Sequence, residues 1–290
     1  MRIVYHLGAH CTDEERLIRC LLKNRGVLGA QGIVVPPPSR YRTVLRDTAI
    51  QLKGAAATPE TQALVLEQIM SEDSAERLVL GWDNFLSFPN WALQGKLYPA
   101  AGERVRAFSR IFPDIETDYF IALRNPATFI PAILAEQPGK DYAALMAGVD
   151  ARDLMWSEMI GRVQAANPGA RLTIWCDEDT PLIWPEVLAA ITGHAEGTVL
   201  EGTFDVLELI MSAVGLKRLR AYIETKGPFT IERRRRAVTA FLDKFATTDA
   251  IDYPINLPDW TPDMVAEMTE TYIADCQAIA AMPNVTFIAP

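Results

Sequence analysis

The residues best suited to chemistry lie in the turn that follows the first apolar run of the chain. Residues 6–12 read HLGAHCT, with His6 and His10 on either side of Gly8, and a stretch with helical spacing comes next. In a parallel α/β sheet such a turn places a helix N-terminus at the carboxyl edge, where free N–H groups and the helix dipole attract an anion. The turn therefore predicts an anion site, and His10 is a candidate hydrogen-bond donor or base in it. The alternative for both histidines is packing against the sheet.

Three acidic residues in a row follow this turn. Asp13, Glu14 and Glu15 suit the positive end of a helix dipole, and Thr12 with Glu15 fits a capping box. The other interpretation is a site for a metal or a cationic ligand, which the acids at 177–179 would join from the end of another strand. Nothing in the spacing makes these carboxylates converge, so no metal ligand is predicted.

The elements that must hold these residues alternate between strands and helices. Apolar runs rich in β-branched and aromatic residues predict strands at 2–7, 77–82, 118–123, 171–176 and 284–288, with helical spacing between them. This alternation indicates βαβ crossovers, and strands that are apolar throughout are typical of a parallel sheet covered on both faces. We predict a three-layer α/β fold with a mainly parallel sheet of about four or five strands and helices on both faces.

Length and composition agree with one such domain. The chain has 290 residues, of which 49% are hydrophobic and 22% charged, and this predicts a single domain over 1–290 and argues against disorder. The net charge of −9 is unsuited to broad binding of nucleic acid. The apolar runs are too short for a membrane span or a secretory signal. The cysteines are scattered without metal-ligand spacing, and predict free thiols in a reducing cytoplasm.

A helical part of the chain precedes the last strand. Residues 200–246 show helical spacing without a strand run, and predict a helical cap on the sheet. Arg233–Arg236 lie in this cap, and form either a solvated helix face or a basic segment for a phosphate. The final helix is predicted to begin at Thr261, as a cap, with Pro262 at its first position. Three aromatic residues near predicted loops are expected to wall a pocket or to pack in the core: Tyr41, Trp91 and Trp184.

In this order of elements the sequence resembles the bacterial sulfotransferase-like proteins of the P-loop fold. Their usual opening is an apolar strand followed by H-x-G-x-H-K-T-G-T-T, which residues 5–15 follow in part. Further stretches agree in order along the chain, at 24–36, 121–126, 174–188 and 260–290. The resemblance implies a sulfotransferase-like α/β fold that binds a nucleotide at the first turn, and it speaks for the fold more than for the activity.

The resemblance also implies roles for individual residues. The cofactor would be the donor 3′-phosphoadenosine 5′-phosphosulfate, and the partner a hydroxyl-bearing small molecule or carbohydrate. Arg124 would hold the 3′-phosphate, and Asp83 would take the proton of the attacking hydroxyl, with His10 as a second catalytic candidate. The alternatives are an ion pair for Arg124 and a turn cap for Asp83. The donor site as a whole would comprise Gly8, Ala9, His10, Cys11, Thr12, Asp13, Arg124 and Asn125.

The chain departs from the family pattern where the donor would bind. The family's lysine falls on Cys11, its Gly-Thr-Thr falls on 13–15, and Ala132 stands where a serine would complete the 3′-phosphate site. Like charges about 4 Å apart repel by roughly 1 kcal/mol in water and by more in a sheltered cleft. We therefore expect an impaired donor site. The protein is then a sulfotransferase-like transferase with weak donor binding, or a non-catalytic protein of that fold that binds a glycan, a protein or another ligand.

Overall fold

The computed structural model describes residues 1–247, 255 and 257–290, and it confirms the three-layer α/β class. Its strands are β1 (Arg2–His6), β2 (Ile33–Val34), β3 (Arg77–Gly81), β4 (Glu116–Leu123), β5 (Arg171–Cys176) and β6 (Val285–Phe287). They form one six-stranded sheet in the order β2-β3-β1-β4-β5-β6. Every adjacent pair is parallel, so all six carboxyl ends meet at one edge.

Helices connect these strands and cover both faces of the sheet. The helices before β4 are α1 (Arg16–Lys23), α2 (Arg25–Gly29), α3 (Pro38–Leu52), α4 (Pro59–Ile69) and α5 (Ala101–Ser109). The helices between β4 and the cap are α6 (Pro126–Ala135), α7 (Tyr142–Met146), α8 (Trp156–Ala166) and α9 (Thr180–Thr192). The later helices are α10 (Leu207–Ile210), α11 (Ala213–Lys226), α12 (Ile231–Phe245) and α13 (Pro262–Ala280).

The core lies in two layers, one on each face of the sheet, because side chains alternate along each strand. Tyr5 of β1 packs in the layer that includes Trp156 of α8 and Tyr272 of α13. Its neighbour Val4 points the other way, into the layer that includes Leu17 of α1 and Trp184 of α9. Burial on both faces explains why the strands are apolar throughout.

The sheet has six strands where the sequence predicted four or five. The additional strand, β2, has two residues and pairs with the start of β3, Ile33 with Arg77. A pairing this short leaves no periodic pattern that a sequence can display. The five predicted strands are all present: the bounds of β5 match the prediction, and the other four differ from it by one or two residues at one or both ends.

The predicted helical cap is present at 200–246, as α10, α11 and α12 with one isolated β-bridge. These helices enclose a small apolar cluster of their own, which includes Leu219 and Val238. The final helix begins as predicted, since the Thr261 side chain accepts a hydrogen bond from the Met264 N–H and Pro262 follows the cap. Across the described part of the chain, no helix combines the length and apolarity needed to cross a membrane.

Candidate functional site

The carboxyl ends of β1 and β3 border a narrow cleft, and the loop after β1 forms one of its walls. The cleft encloses ≈ 60 Å³, well below the roughly 300 Å³ at which pockets for small organic ligands begin. Its lining combines residues of the first loop with Trp82 and Asp83 after β3, Arg42 of α3 and Glu136 at the end of α6. Most of the predicted site residues share this cleft: Gly8, Ala9, His10, Cys11, Asp13 and Asp83. Thr12 belongs to the same loop, but it is buried and does not line the cleft.

The loop after β1 follows an unusual backbone path. A Cβ atom at Gly8 would lie 3.1 Å from the Asp83 Cα, so a glycine is needed for the loop to pass the end of β3. Gly8 has a φ of +57°, and three non-glycine residues also have positive φ: Cys11, Glu14 and Glu15, at 58°, 47° and 64°. Each of these three costs about 1 kcal/mol relative to an ordinary conformation. The loop is therefore strained at the position of two of its acids.

The N-terminus of α1 is occupied by a carboxylate of the loop. The Asp13 Oδ2 accepts a hydrogen bond of 3.0 Å from the Leu17 N–H, in the first turn of the helix. The predicted capping box is wrong: α1 begins at Arg16, Glu15 makes no side-chain cap, and the Thr12 hydroxyl donates to the Ala9 carbonyl. Because Glu15 is in a left-handed conformation, its side chain points away, and its carboxylate pairs with Arg42 at 2.6 Å.

His10 is buried and held from both sides of its ring. Its Nδ1 lies 2.9 Å from the Tyr98 hydroxyl, which also accepts from the His10 N–H, and its Nε2 lies 3.2 Å from the Asn84 Oδ1. Burial lowers the pKa of His10, although Asn84 and Asp83 oppose this shift. The ring is therefore neutral near pH 7, and it would have to give up a protein partner to take a proton from a substrate.

His6 also lines the cleft, and it is the more unusual of the two histidines. His6 is 4% exposed, and its ring stacks on Trp175 with the ring centroids 5.9 Å apart. Its Nε2 has no hydrogen-bond partner among the described residues. Burial lowers the pKa of His6, while the carboxylates of Asp13 and Asp83 oppose this shift. A buried ring nitrogen without a partner is costly, and a bound water or ion is one of the explanations for such a group in native proteins.

The cleft is lined by more acidic than basic groups. Its carboxylates are those of Asp13, Glu14, Glu15, Asp83 and Glu136, and its cation is Arg42. Two of the carboxylates form ion pairs, Glu14 with Arg16 and Glu15 with Arg42. The other three have no ion pair with a described residue. The Asp83 Oδ1 accepts only the neighbouring N–H of Asn84, so Asp83 caps its own turn as well as facing the cleft.

The thiol of Cys11, at the position where the resemblance implies a lysine, stays protonated. Burial and the nearby Glu136 carboxylate raise the pKa of Cys11 far above its ordinary value. The first loop thus presents neither a cation nor a reactive thiolate to the cleft.

Arg124 and Asn125, from the loop after β4, adjoin the first loop. The Arg124 guanidinium donates to the Cys11 carbonyl oxygen, and its Nε donates to the Thr128 hydroxyl at 3.0 Å. The Asn125 side chain caps α6 by accepting from the Ala127 N–H, and its amide donates to Thr269. The structure therefore brings Arg124 beside residues 8–15, as the resemblance implies.

The acids after β5 lie against the loop after β4. Glu178 accepts from the Asn125 N–H at 2.7 Å and from the Tyr272 hydroxyl at 3.1 Å, so its carboxylate has a structural role. Burial, reinforced by Glu178, raises the pKa of the neighbouring Asp177 to about 7. Arg124 opposes this shift and Asp13 adds to it, so the pKa of Asp177 depends on charges in the loops after β1 and β4. Within the described residues, no group of three or more His, Cys, Asp or Glu side chains is arranged to hold a metal ion.

The remaining candidates lie away from the cleft. Arg234 and Arg235 both pair with Glu186 of α9, at 2.9 and 3.0 Å, which joins the helical cap to the sheet layer. Tyr41 and Trp184 are fully buried, and the Tyr41 hydroxyl donates to the Gly81 carbonyl oxygen below the cleft. Trp91 is 58% exposed. A wider groove of ≈ 380 Å³ lies at the opposite edge of the sheet, beside the starts of β4 and β5, and none of the predicted site residues lines it.

Four cleft-side residues were missed by sequence reasoning: Arg42, Asn84, Tyr98 and Glu136. Asn84 had a signal, because it directly follows Asp83 at the end of a strand. Tyr98, Arg42 and Glu136 come from connecting segments and helices with no motif, and only the folded chain brings them to the first loop.

Comparison with known proteins supplies no family and no support for a function. No protein-family model matches the chain, and no curated protein matches it. A solved structure that does match is a sulfotransferase from Alicyclobacillus acidocaldarius, at 11% identity, covering 83% of this chain and 98% of that one. The TM-score is 0.41, which is too low to support a conclusion about this chain. The fold class therefore stands on the parallel sheet described above.

Proposed function

We propose that this protein binds a primary ammonium group in the cleft at the end of β1, on a sulfotransferase-like framework that no longer holds 3′-phosphoadenosine 5′-phosphosulfate. The observation that carries the proposal is that three of the carboxylates lining the cleft, those of Asp13, Asp83 and Glu136, form no ion pair with a described residue. His6 lines the same cleft, and its buried Nε2 has no described partner. The proposal makes the protein a binding module and leaves sulfuryl transfer without a donor.

The residues present do not fit the doubly anionic donor. The N–H groups at a helix N-terminus are what would receive its 5′-phosphosulfate, and at α1 the Asp13 carboxylate already accepts from one of them. Cys11 supplies no charge in place of the family's lysine, and the cleft volume of ≈ 60 Å³ leaves room for a few water molecules. A phosphosulfate would meet carboxylates from both sides of the cleft, so its binding is opposed by repulsion of about 1 kcal/mol or more for each close pair.

An ammonium group matches the same features. It has three N–H donors, and the residues that line the cleft supply three acceptor groups for them: the neutral His6 ring, the Asp83 carboxylate and the Asp13 carboxylate. The indole of Trp82 also lines the cleft, and an aromatic face attracts a cation. Hydrogen bonds to charged groups contribute about 1.5–3 kcal/mol each, so a small cation is held by few contacts.

The proposal is tested by calorimetric titration with n-butylammonium as the probe and n-butanol as its neutral isostere. We expect n-butylammonium to bind and n-butanol to give no heat beyond dilution. Asp83→Asn and His6→Phe should each weaken n-butylammonium binding by about tenfold or more, since each removes an acceptor from a charged donor. Glu67→Gln is the matched control, because it removes an exposed carboxylate of α4 that does not line the cleft.

Three results would count against binding of the ammonium group in the cleft. Equal binding of n-butanol and n-butylammonium, or a neutral glycan that binds while n-butylammonium does not, contradicts the proposal. Loss of binding in Glu67→Gln to the same extent as in Asp83→Asn shows that net charge, and not the cleft, attracts the probe.

One observation favours an older use of the same edge for a nucleotide. Arg124 reaches the Cys11 carbonyl, which is the neighbourhood that the resemblance implies for the 3′-phosphate and the 5′-phosphosulfate. We propose that this arrangement is a remnant of a donor site, and that Asp83 and His10 have no catalytic partner without a bound donor. Measurable transfer of sulfate from 3′-phosphoadenosine 5′-phosphosulfate to any hydroxyl acceptor, lost in His10→Ala, would overturn this view.

A further inference from the structure

Two cysteines that are 100 residues apart in the chain meet at the end of β5. Cys176 is the last residue of that strand, Cys276 lies in α13, and their Sγ atoms share a hydrogen bond at 3.6 Å. Both are free thiols in the structure. A disulfide needs the two sulfurs at about 2.0 Å, so side-chain movement of roughly 1.5 Å closes the gap.

The two thiols differ in exposure and in acidity. Cys176 is partly exposed, whereas Cys276 is 7% exposed. The hydrogen bond between the thiols lowers the pKa of Cys176, and the same contact together with burial raises the pKa of Cys276. Thiolates react with oxidants and thiols do not, so Cys176 is the residue that an oxidant in water would meet first.

The other two cysteines lack such a partner. The Cys20 Sγ donates to the Glu201 carbonyl, and burial raises the pKa of Cys20 to about 12. Burial and the nearby Glu136 carboxylate raise the pKa of Cys11 far above its ordinary value. Neither has a second thiol within hydrogen-bond distance in the described part of the chain.

We propose that Cys176 and Cys276 form a reversible disulfide when the protein meets a peroxide. The Cys176 thiolate attacks one peroxide oxygen: an S–O bond forms, the O–O bond breaks, and the departing hydroxide takes up a proton to become water. Cys276 then attacks the Cys176 sulfur: the S–S bond forms, the S–O bond breaks, and the second water leaves with the proton of Cys276. Two thiols and one hydrogen peroxide thus give one disulfide and two waters.

The bond would tie α13 to the edge of the sheet near the first two loops. One turn before Cys276, the Tyr272 hydroxyl donates to Glu178 and to the Leu123 carbonyl. Glu178 in turn accepts from the Asn125 N–H, next to Arg124. Oxidation would therefore fix the helix that holds the loops after β4 and β5. This inference is independent of the ammonium proposal, because it rests on a different pair of side chains.

The test exposes the full-length protein to a small excess of hydrogen peroxide and then titrates thiols in denaturant. We expect two of the four cysteines to become unreactive, and reduction with dithiothreitol to restore them. Peptide mapping without reduction should yield one cross-linked species, containing Cys176 and Cys276 and lighter by two hydrogens. The oxidised protein should also melt about 5 °C or more above the reduced one, because the bond closes a long loop.

Single variants identify the pair. Cys176→Ser and Cys276→Ser should lose both the cross-link and the thermal shift, whereas Cys20→Ser, a matched buried cysteine, should keep both. The proposal is overturned if all four thiols survive peroxide, if the mapped cross-link joins another pair, or if Cys176 is oxidised to a sulfinic acid without a cross-link. The wild-type peptide map decides between these outcomes even where a serine variant does not fold.

Discussion

The loops after β1 and β4 leave adjacent strands at the same edge of the sheet, yet they are built in opposite ways. The second loop is short, and its helix begins with an Asn125 cap and a proline at the first position. The first loop is long and strained, with left-handed residues at Cys11, Glu14 and Glu15, and its helix begins without a capping side chain at Glu15. Asp13, in the loop before the helix, instead accepts a hydrogen bond from the Leu17 N–H in the first turn.

This difference shows what a change of charge does to an anion site. A helix N-terminus attracts an anion whatever its source, and a chain that supplies its own carboxylate there has satisfied the site internally. The loop after β4 contains Arg124, whereas the loop after β1 has no lysine or arginine and contains three acids in a row at 13–15. The cleft beside the loop after β1 is therefore acidic, and a small cation suits it.

The largest expected effect comes from reversing the charge of the first loop. The double substitution Cys11→Lys with Asp13→Gly adds a cation and frees the α1 N-terminus. A charge-assisted hydrogen bond contributes about 1.5–3 kcal/mol, and relief of repulsion adds about 1 kcal/mol. We expect affinity for 3′-phosphoadenosine 5′-phosphate to rise by about a hundredfold, measured by calorimetry.

Glu67→Lys is the control for this experiment, because it changes net charge by the same two units at an exposed position of α4. An equal gain in Glu67→Lys would mean that overall charge governs affinity. An unchanged affinity in the double variant would show that no nucleotide pocket survives at this edge.

The parallel sheet and the order of its elements could be predicted from the sequence, whereas the full set of residues that line the cleft could not. Fully apolar runs and the Thr261-Pro262 start reflect local physics, which acts over a few neighbours and leaves a visible pattern. Thr12 and Glu15 have the residue types and spacing of a capping box, but in the folded chain Glu14 and Glu15 are left-handed and Asp13 accepts the hydrogen bond from the first turn of α1.

Tertiary contacts explain the other omissions. Tyr98 precedes α5 and Glu136 ends α6, and neither segment has a motif that predicts contact with a loop far back along the chain. The Cys176–Cys276 pair is of the same kind, since scattered cysteines give no indication of which thiols meet. Charge departures at Cys11 and 13–15 could be read from the sequence because they replace residues at fixed positions in a recognisable turn.

The next largest effect concerns Asp177, whose pKa both loops influence. Its folded pKa of about 7 lies above its ordinary 3.8, so the native state binds the extra proton and stability falls as pH rises from about 4 to about 7. Asp177→Asn removes this penalty. We expect a gain of about 2 kcal/mol in the free energy of unfolding at pH 8, after allowance for partial exposure, and none at pH 3.5.

Denaturant titrations at the two pH values measure this difference. In parallel, carboxyl NMR should show that Asp13→Asn lowers the pKa of Asp177, because it removes a nearby negative charge. A rise in that pKa would contradict the acidic character assigned to the first loop.

A smaller loss is expected when the cap of the second loop is removed. Asn125→Ala deletes the hydrogen bonds to the Ala127 N–H and the Thr269 hydroxyl. N-cap replacements cost about 1 kcal/mol, so the urea midpoint should fall accordingly. Asn125→Ser keeps a cap acceptor without adding a charge beside Glu178, and it should recover most of the loss; failure to recover would assign the effect to the amide contact with Thr269.

The smallest expected effect is a gain in the free energy of unfolding, from a substitution in the loop after β1. Glu14→Gly relieves a positive φ of 47° and removes an exposed ion pair with Arg16, and we expect a net gain of about 0.5 kcal/mol. Glu14→Ala loses the same ion pair but keeps a Cβ, so it isolates the backbone contribution. If glycine and alanine give equal stability in urea titration, the loop is not strained at this position.

The central claim, that the cleft beside β1 binds a small cation and not an anionic nucleotide, is tested most directly by one calorimetric competition. The wild-type protein at low ionic strength is titrated with 3′-phosphoadenosine 5′-phosphate, with and without n-butylammonium. The account predicts no saturable heat from the nucleotide at millimolar concentration and a saturable signal from the amine. Micromolar nucleotide binding that n-butylammonium leaves unchanged would contradict it.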